Sequence, residues 1–96
     1  MRLSYVYQYE NRMIKDLKEL GANIRIRRSG LDMSQGELAF QLGTDKAYVS
    51  RIERGEVNIG VIFLSEICMV LQTTPNALLG IGDKELVESS ISRASQ

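Results

Sequence analysis

The stretch from Ser34 to Gly55 constrains the fold more strongly than any other part of this 96-residue chain. Ser34 and Glu37 have the spacing of a capping box, which predicts a helix that begins just after Ser34. Gly43 stands where that helix must turn, because glycine adopts a positive φ at little cost. Asp45 can then cap a second helix. The stretch therefore predicts two short helices joined by a tight turn.

Three apolar residues in the same stretch favour closely packed helices. Ala39 is small at the point where the two helices would cross, and a larger side chain there would push them apart. Val49 and Ile52 are three residues apart in the second helix and would face the first. A generic helical hairpin also explains the caps and the apolar spacing, but it does not explain the small residue and the glycine together. We therefore favour a helix-turn-helix.

The composition removes several kinds of site from consideration. The chain has one cysteine, Cys68, and no histidine, so it cannot form an intrachain disulfide and a zinc site would lack its common ligands. Cys68 lies in an apolar run, and we expect a small buried side chain rather than a redox centre. Paired catalytic carboxylates and glycine-rich phosphate loops are also missing from the sequence. We therefore expect no enzymatic activity, no metal and no cofactor.

The hydropathy pattern gives no sign of a membrane segment. No apolar run approaches 18 residues, which is the length that a membrane-spanning helix needs. The first twelve residues, MRLSYVYQYENR, lack the continuous apolar core of a signal peptide. We therefore expect a soluble cytoplasmic protein that makes no membrane contact.

The chain has no formal net charge, but its charges are unevenly distributed. Residues 20–55 contain six Lys and Arg against four Asp and Glu, a surplus of two positive charges. Residues 56–96 contain two against five, a deficit of three. The zero total counts against a nucleic-acid partner, whereas the local surplus favours one. A surplus this small predicts few phosphate contacts per subunit, so one copy alone should bind DNA weakly.

Apolar spacing predicts three further helices, which makes the fold class all-α with five helices. The first helix runs from about residue 11 to residue 29, and its stripe is Ile14, Leu17, Leu20, Ile24 and Arg28. The fourth helix begins near residue 61, and its inward face is Val61, Leu64, Ile67, Cys68 and Leu71. It is also apolar beyond that face, which is unusual for a surface helix. Thr74 and Pro75 open a short fifth helix that stops at Gly80 or Gly82.

The two ends of the chain leave alternatives open. Tyrosines at positions 5, 7 and 9 have the alternation of a short strand, although a solitary strand has nothing to pair with. The N-terminal residues are a mobile leader, or else an arm that pairs with a second subunit or with DNA. The C-terminal residues are a short helix or a frayed end. We divide the chain into an extension (1–12), a helix-turn-helix domain (13–82) and a tail (83–96).

With the helices placed, residues 20–79 resemble the lambda-repressor-like (Cro/XRE) family of DNA-binding domains. The resemblance runs through LGANIRIRRSGLDMSQGELAFQLGTDKAYVSRIERGEVNI, and its most specific parts are S-Q-x-E-L-A, the Gly43 turn and S-R-I-E-R-G. Two glycines depart from the family pattern. Gly36 replaces a helix former, at a cost of about 0.5–1 kcal/mol relative to alanine. Gly60 replaces the usual Ser or Thr cap, at a cost of a few tenths of a kcal/mol.

The resemblance implies a set of DNA-contacting residues: Gln35, Lys46, Ala47, Tyr48, Ser50, Arg51 and Asn58. Lys46 can donate to guanine O6 and N7, and Ala47 offers a methyl group to thymine. Tyr48 can donate its hydroxyl to a phosphate or stack on a sugar. Gln35 and Asn58 match phosphate-contacting positions, Gln35 at the start of a helix. The alternative for Lys46 and Tyr48 is a solvated helix face.

The resemblance also bears on the arginines. We expect those at positions 25, 27 and 28 to be solvated on the first helix, although one of them can reach the DNA backbone. Arg54 is ambiguous, because Glu53 and Glu56 are near enough to hold it in a surface salt bridge.

Members of this family usually bind as two-fold dimers on half-sites about one helical turn apart. We therefore predict that the surplus apolar residues form a homodimer interface, made of Ile62, Phe63, Met69, Leu79 and Ile81. The alternative is that they pack beneath the N-terminal residues or the tail.

The function that the resemblance implies is a transcriptional regulator, most simply a repressor, that binds an inverted repeat in the major groove of double-stranded DNA. The segment DKAYVSRIERGEVNI is similar to the short controllers of restriction–modification systems, in its tyrosine and its I-E-R-G. An alternative of another class is an antitoxin, which would neutralise a toxin partner by direct contact and use DNA binding only for autoregulation.

Overall fold

The computed structural model describes residues 2–80, with side chains at 12, 13 and 15–80. This part of the chain contains five α-helices and no strand. The helices are α1 (Arg2–Gly30), α2 (Gln35–Leu42), α3 (Lys46–Glu53), α4 (Val61–Leu71) and α5 (Pro75–Leu79). The prediction of an all-α fold with a helix-turn-helix is confirmed. Residue 81 and the predicted tail lie outside the described residues.

Helix α1 is longer than the periodicity predicts. It begins at Arg2 rather than near residue 11, so the tyrosines at positions 5, 7 and 9 lie in a helix, although their alternation is also compatible with a short strand. Three alternating residues are too few to impose an extended backbone, and no Gly or Pro interrupts the chain before Gly21. The helix runs without a break across the boundary that we place between residues 12 and 13. A separate role for residues 1–12 stays a prediction.

The predicted caps hold the helix-turn-helix in place. The Ser34 hydroxyl accepts a hydrogen bond from the Glu37 backbone N–H at 3.0 Å, and the Asp45 carboxylate accepts one from the Tyr48 N–H at 2.8 Å. Gly43 has φ 72°, and the backbone N–H groups that follow α2 bond back to its last carbonyls. The turn chemistry read from the sequence is therefore confirmed, and α3 has a fixed start relative to α2.

The core lies between α1 and the other four helices. Ala39 and Val49 are almost completely buried where α2 and α3 pack together, as the sequence predicts. Helix α1 packs on α3 and α5, and α4 packs on α2 and α5. The buried apolar residues form one cluster: Leu20, Ile24, Leu38, Ala39, Val49, Ile52, Ile67, Cys68, Leu71 and Leu78.

Helix α1 approaches α3 at a position that the sequence did not reveal. A Cβ atom added to Gly21 would lie within 2.5 Å of the carbonyl oxygens of Ile52 and Glu53. The backbones of the two helices therefore meet without any intervening side chain. This contact sets the height of α3 above α1, and so the distance by which α3 projects from the domain.

One residue of the predicted inward face of α4 is misplaced. Val61 is 78% exposed, whereas Ile67, Cys68 and Leu71 are buried as predicted. Val61 is the first residue of α4, directly after the Gly60 cap. None of the helices in the described residues combines the length and the apolar character that crossing a membrane requires.

Candidate nucleic-acid interface

The outer face of α3 gathers three of the seven predicted DNA-contacting residues. Lys46, Ala47 and Arg51 are exposed, while Val49 and Ile52 on the opposite face are buried at 1% and 2% exposure. The buried face fixes how α3 is rotated, because two core side chains hold it against the rest of the domain. Two cationic groups and a methyl group therefore share one solvent-facing side of a helix.

Tyr48 lies at the edge of this face and is not a solvated side chain. It is half-buried, and its ring packs edge-on against Phe63 of α4, with ring centroids 5.9 Å apart and an angle of 63°. Such a contact stabilises an aromatic pair beyond the area that it buries. The ring is thus part of the packing between α3 and α4.

A polar cluster at the end of α3 joins three helices. Both carboxylate oxygens of Glu53 accept hydrogen bonds from the Arg28 guanidinium, at 2.7 Å and 3.0 Å. Gln35 donates its side-chain amide to Glu53 at 3.0 Å, and Arg28 also donates to the Met33 carbonyl at 2.7 Å. The Glu53 side chain is 3% exposed and the Arg28 side chain 12%. This cluster, hereafter the Glu53 cluster, ties α1 and the start of α2 to the last turn of α3.

The geometry of the Glu53 cluster explains the electrostatics of Arg28. The hydrogen bonds to Glu53 and its negative charge raise the pKa of the Arg28 guanidinium, although burial alone would lower it. Two hydrogen bonds in parallel are the geometry in which arginine binds a carboxylate most firmly. A negative charge buried in the domain is therefore neutralised before any ligand binds.

The predictions for the arginines of α1 need correction. Arg28 is not solvated, because it pairs with Glu53. Arg27 donates hydrogen bonds to the carbonyl oxygens of Leu71 and Gln72, at 2.8 Å and 3.0 Å. Carbonyl groups at the end of a helix have no hydrogen-bond partner within the helix. Sequence analysis placed Arg28 on the apolar stripe of the first helix. An arginine on that stripe indicates that its charge needs a buried partner. Only Arg25 is exposed as predicted.

Arg54 follows α3, and the structure decides its partner. It forms a salt bridge with Glu56 and donates to the Ser50 hydroxyl at 2.5 Å. Glu53, the other predicted partner, is taken by Arg28. Lys46 and Arg51 are therefore the cations of α3 that make no salt bridge within the described residues.

Two predicted site residues lie together elsewhere. Asn58, predicted to contact phosphate, and Leu79, predicted in the dimer interface, line one apolar groove of about 260 Å³ beside α1. Asn58 is exposed and Leu79 half-buried. Arg12 and Asp16 of α1 form the polar rim of this groove. The groove is separate from the outer face of α4, so Leu79 and Ile62 do not form one surface.

The residues predicted in the dimer interface are only partly free. Ile62 and Met69 are 75% and 79% exposed on α4, whereas Phe63 is half-buried against Tyr48 and the core. Ile81 lies outside the described residues. On α2 and α4, two further exposed apolar residues were missed: Val61, at 78%, and Phe40, at 85%. Phe40 directly follows Leu38 and Ala39, which are buried, and its apolar type alone does not show that it faces away from them.

The one cysteine has no neighbours that suggest chemistry. Cys68 is 5% exposed within the core, and burial raises the pKa of its thiol. A raised pKa keeps the thiol protonated and unreactive at neutral pH. Within the part of the chain that the structure describes, no group of Cys, Asp and Glu side chains is arranged to hold a metal ion.

Comparison with known proteins agrees with this geometry. The model of the Helix-turn-helix family matches residues 24–78, more than half of the chain. The chain belongs to this Cro/XRE-type helix-turn-helix family. The matched segment begins in the second half of α1 and ends in α5, so it contains α2, α3 and α4 complete.

Several relatives are regulators. The control protein C.BamHI from Bacillus amyloliquefaciens is 38% identical over 60 residues, which are 62% of this chain and 74% of that protein. The restriction–modification controller C.AhdI from Aeromonas hydrophila has 32% identity and a TM-score of 0.63, covering 68% of this chain and 94% of its own. The clp gene regulator ClgR from C. glutamicum has 26% identity and a TM-score of 0.65, covering 67% and 82%.

These likenesses support a DNA-binding regulator rather than an enzyme. They include restriction–modification controllers, as the likeness of DKAYVSRIERGEVNI predicted. They give no support to the antitoxin alternative.

Proposed function

We propose that this protein is a sequence-specific transcriptional regulator that binds an inverted-repeat operator as a homodimer, with α3 of each copy in the major groove. The observation that carries the proposal is the outer face of α3. It presents Lys46, Ala47 and Arg51 to solvent while its other face is fixed in the core. A rigid helix with exposed donors at its first turn suits direct readout of base edges.

Each residue of this face has a proposed partner. Lys46 donates to guanine O6 and N7, and Ala47 contacts a thymine methyl group. Arg51 and Ser50 lie one turn further on, where the helix leaves the groove. Tyr48 extends its hydroxyl to the sugar–phosphate backbone from a ring that Phe63 already immobilises. A side chain that is ordered before binding loses less conformational entropy on binding.

The start of α2 is the proposed phosphate site. The backbone N–H groups of its first turn point out of the helix, and the helix dipole favours an anion there. Gln35 is hydrogen-bonded to Glu53, so the Glu53 cluster fixes where this helix start lies relative to α3. Asn58, exposed in the loop before α4, is a second proposed contact with the backbone.

The likeness to controller proteins favours an operator near restriction–modification genes, including the regulator's own gene. We propose regulation by occupancy of that operator, most simply repression and autoregulation. This part of the proposal concerns the biological setting and is tested separately from DNA recognition.

Selection of bound sequences from a random DNA pool tests recognition. We expect an enriched inverted repeat for the wild type, and for Lys46→Ala a loss of preference at one guanine, equivalent to about 1–3 kcal/mol. Tyr48→Phe keeps the packing against Phe63 and should weaken binding to all sequences alike. Lys15→Ala removes an exposed cation from α1 instead and is the matched control. Enrichment of no sequence by a folded protein would reject DNA recognition.

A further inference from the structure

The end of α3 holds a cation and an anion side by side on the face that the proposed function turns toward DNA. Arg54 donates from Nε to the Glu56 carboxylate and from Nη1 to the Ser50 hydroxyl, the second contact at 2.5 Å. We infer that Glu56 is a specificity-determining residue. By pairing with Arg54 it withholds a cation from nonspecific phosphate contacts, and so favours the operator over other DNA. The inference rests on the proposed function and adds a residue that opposes indiscriminate binding.

Arg54 continues the outer face of α3. It follows Ala47 by seven residues, which is close to two helical turns, and its backbone keeps right-handed helical angles, with φ −83° and ψ −3°. Its hydrogen bond to Ser50, one turn back, keeps the side chain along this side of the helix. The Arg54 and Glu56 side chains are 57% and 49% exposed, so DNA bound to this face can reach both.

The backbone places Glu56 beside Arg54 independently of the ion pair. Gly55 has φ 77°, and a Cβ atom added to it would lie 2.7 Å from the Lys18 Cα atom of α1. The chain therefore reverses at Gly55 in a tight turn pressed against α1. The Glu56 backbone N–H donates to the Arg51 carbonyl at 3.0 Å, which folds Glu56 back onto the end of α3. A fixed turn thus presents the carboxylate.

A carboxylate at this position lowers affinity for any DNA. Nonspecific binding comes almost entirely from cations that displace the counterions of phosphate groups. Arg54 paired with Glu56 has no net charge to offer to a phosphate, and the Glu56 carboxylate by itself would repel one. A residue that weakens binding to all DNA raises specificity only if the operator loses less affinity than other sequences lose.

The operator loses less affinity because the pair leaves directional donors in place. A guanidinium has five N–H groups, and Glu56 and Ser50 occupy two of those of Arg54. The remaining three can donate to an acceptor at a fixed position. The Ser50 hydroxyl accepts from Arg54, so its own proton stays free to donate toward the DNA. Such hydrogen bonds need an acceptor in one place, whereas a free cation binds phosphate anywhere along the backbone.

Salt-dependent DNA binding of Glu56→Gln tests the inference. The probes are a random-sequence duplex and the duplex that selection from the random pool enriches. On the random-sequence duplex, release of one cation per copy should steepen the plot of log K against log salt by about 0.9 per copy bound. Affinity for this duplex should rise on the order of fivefold at about 100 mM salt. Affinity for the enriched duplex should rise less, so the ratio of the two affinities should fall severalfold.

Glu19→Gln is the matched control, because it removes the same charge from an exposed position on α1, beside Gly80 at the end of α5. Within the described residues Glu19 makes no salt bridge, so its removal releases no cation and should leave the salt slope unchanged. Equal effects of the two substitutions would show that only net charge matters, and would overturn the inference.

A second background separates an effect through Arg54 from direct repulsion of phosphate by Glu56. In an Arg54→Gln protein, Glu56→Gln should leave the salt slope unchanged, because no cation remains to be released. The same steepening with and without Arg54 would overturn the inference. Exposed ion pairs contribute little to stability, so circular dichroism should show the same fold and nearly the same unfolding temperature for all variants.

Failure of the inference and failure of the proposed function have different readouts. A folded wild type that enriches no sequence would reject the proposed function, whatever the salt slopes are. If the wild type enriches an operator and Glu56→Gln leaves both the salt slope and the affinity ratio unchanged, the inference alone is rejected.

Discussion

At the scale of single residues, two glycines on helices have opposite roles. Gly21 lies where the backbones of α1 and α3 touch, and there is no room for a methyl group. Gly36 lies on the exposed side of α2, and a Cβ atom added there would be 3.8 Å from its nearest neighbour, the Ser34 hydroxyl. Sequence alone gives the same helix-propensity cost to both. Only the contact between helices separates them.

We expect Gly21→Ala to lower the free energy of unfolding by about 1–3 kcal/mol, the cost of forcing a methyl group into a packed contact. Gly36→Ala should raise it by about 0.5–1 kcal/mol, because alanine loses less backbone entropy in a helix. Urea denaturation of both variants measures the two changes. A stabilising Gly21→Ala would mean that α1 and α3 lie further apart than the structure places them.

The buried thiol gives a prediction for pH. Burial raises the pKa of Cys68, so its contribution to stability is present below the ordinary thiol pKa, near 8.5, and is lost as the pH rises through the raised value. Cys68→Ala should cost about 1 kcal/mol near neutral pH. The difference between wild type and variant should shrink as the pH rises above about 9. Denaturation across this pH range measures it, and a constant difference would contradict the burial of the thiol.

At the scale of helices, the Glu53 cluster fixes the position of α3. Arg28, Gln35 and Glu53 belong to three different helices, and the Glu53 carboxylate accepts hydrogen bonds from the other two. Because ion pairs desolvate both partners, such a cluster contributes more to specifying the arrangement than to net stability. The Tyr48–Phe63 contact secures the first turn of α3 by packing against α4.

We expect Arg28→Met to lower the free energy of unfolding by about 3 kcal/mol, since it leaves the Glu53 carboxylate buried and unpaired. Glu53→Gln should cost less, because the neutral amide can still accept from Arg28. The double variant should recover most of the loss. A double-mutant cycle from denaturant unfolding gives the coupling energy. Additive effects would show that the two side chains do not depend on each other.

The local part of this architecture could be predicted from the sequence, because each cap depends on residues three or four positions apart. Ser34 and Asp45 cap α2 and α3 as predicted, and Thr74 caps α5. The pairing of Arg28 with Glu53, 25 residues apart, could not be predicted. Periodicity shows that Arg28 faces inward, but not what it meets there. The same limit explains the misplaced Val61 and the missed Phe40.

At the scale of the whole molecule, the distribution of charge predicts that a single copy binds DNA weakly. Salt bridges pair Arg28 with Glu53 and Arg54 with Glu56, so the charges of these two arginines are already neutralised within the domain. Lys46 and Arg51 then supply the positive charge of the outer face of α3. We therefore expect operator binding to need two copies on one site, as the proposed homodimer provides.

We expect this arrangement to set the salt dependence of operator binding. With about two cations per copy near the DNA, the logarithm of the binding constant should fall with the logarithm of salt with a slope near −4 for the dimer. We expect Ile62→Glu, which places a charge in the predicted dimer interface, to bind as a monomer and to show about half that slope. Fluorescence anisotropy between about 50 and 200 mM salt measures both slopes. A much steeper slope would require cations beyond those on α3.

The sequence by itself determined the helix-turn-helix, its caps and turn, the all-α class and the family, because these depend on short-range spacing and on residue types with strong conformational preferences. It also placed Lys46, Ala47 and Arg51 on one side of α3. Tertiary structure decided what the sequence left open. It set the close contact at Gly21, the Glu53 cluster and the exposure of apolar side chains on α4. All three depend on which helices meet, and at what distance. Such contacts join residues that are far apart in the chain, where periodicity carries no information.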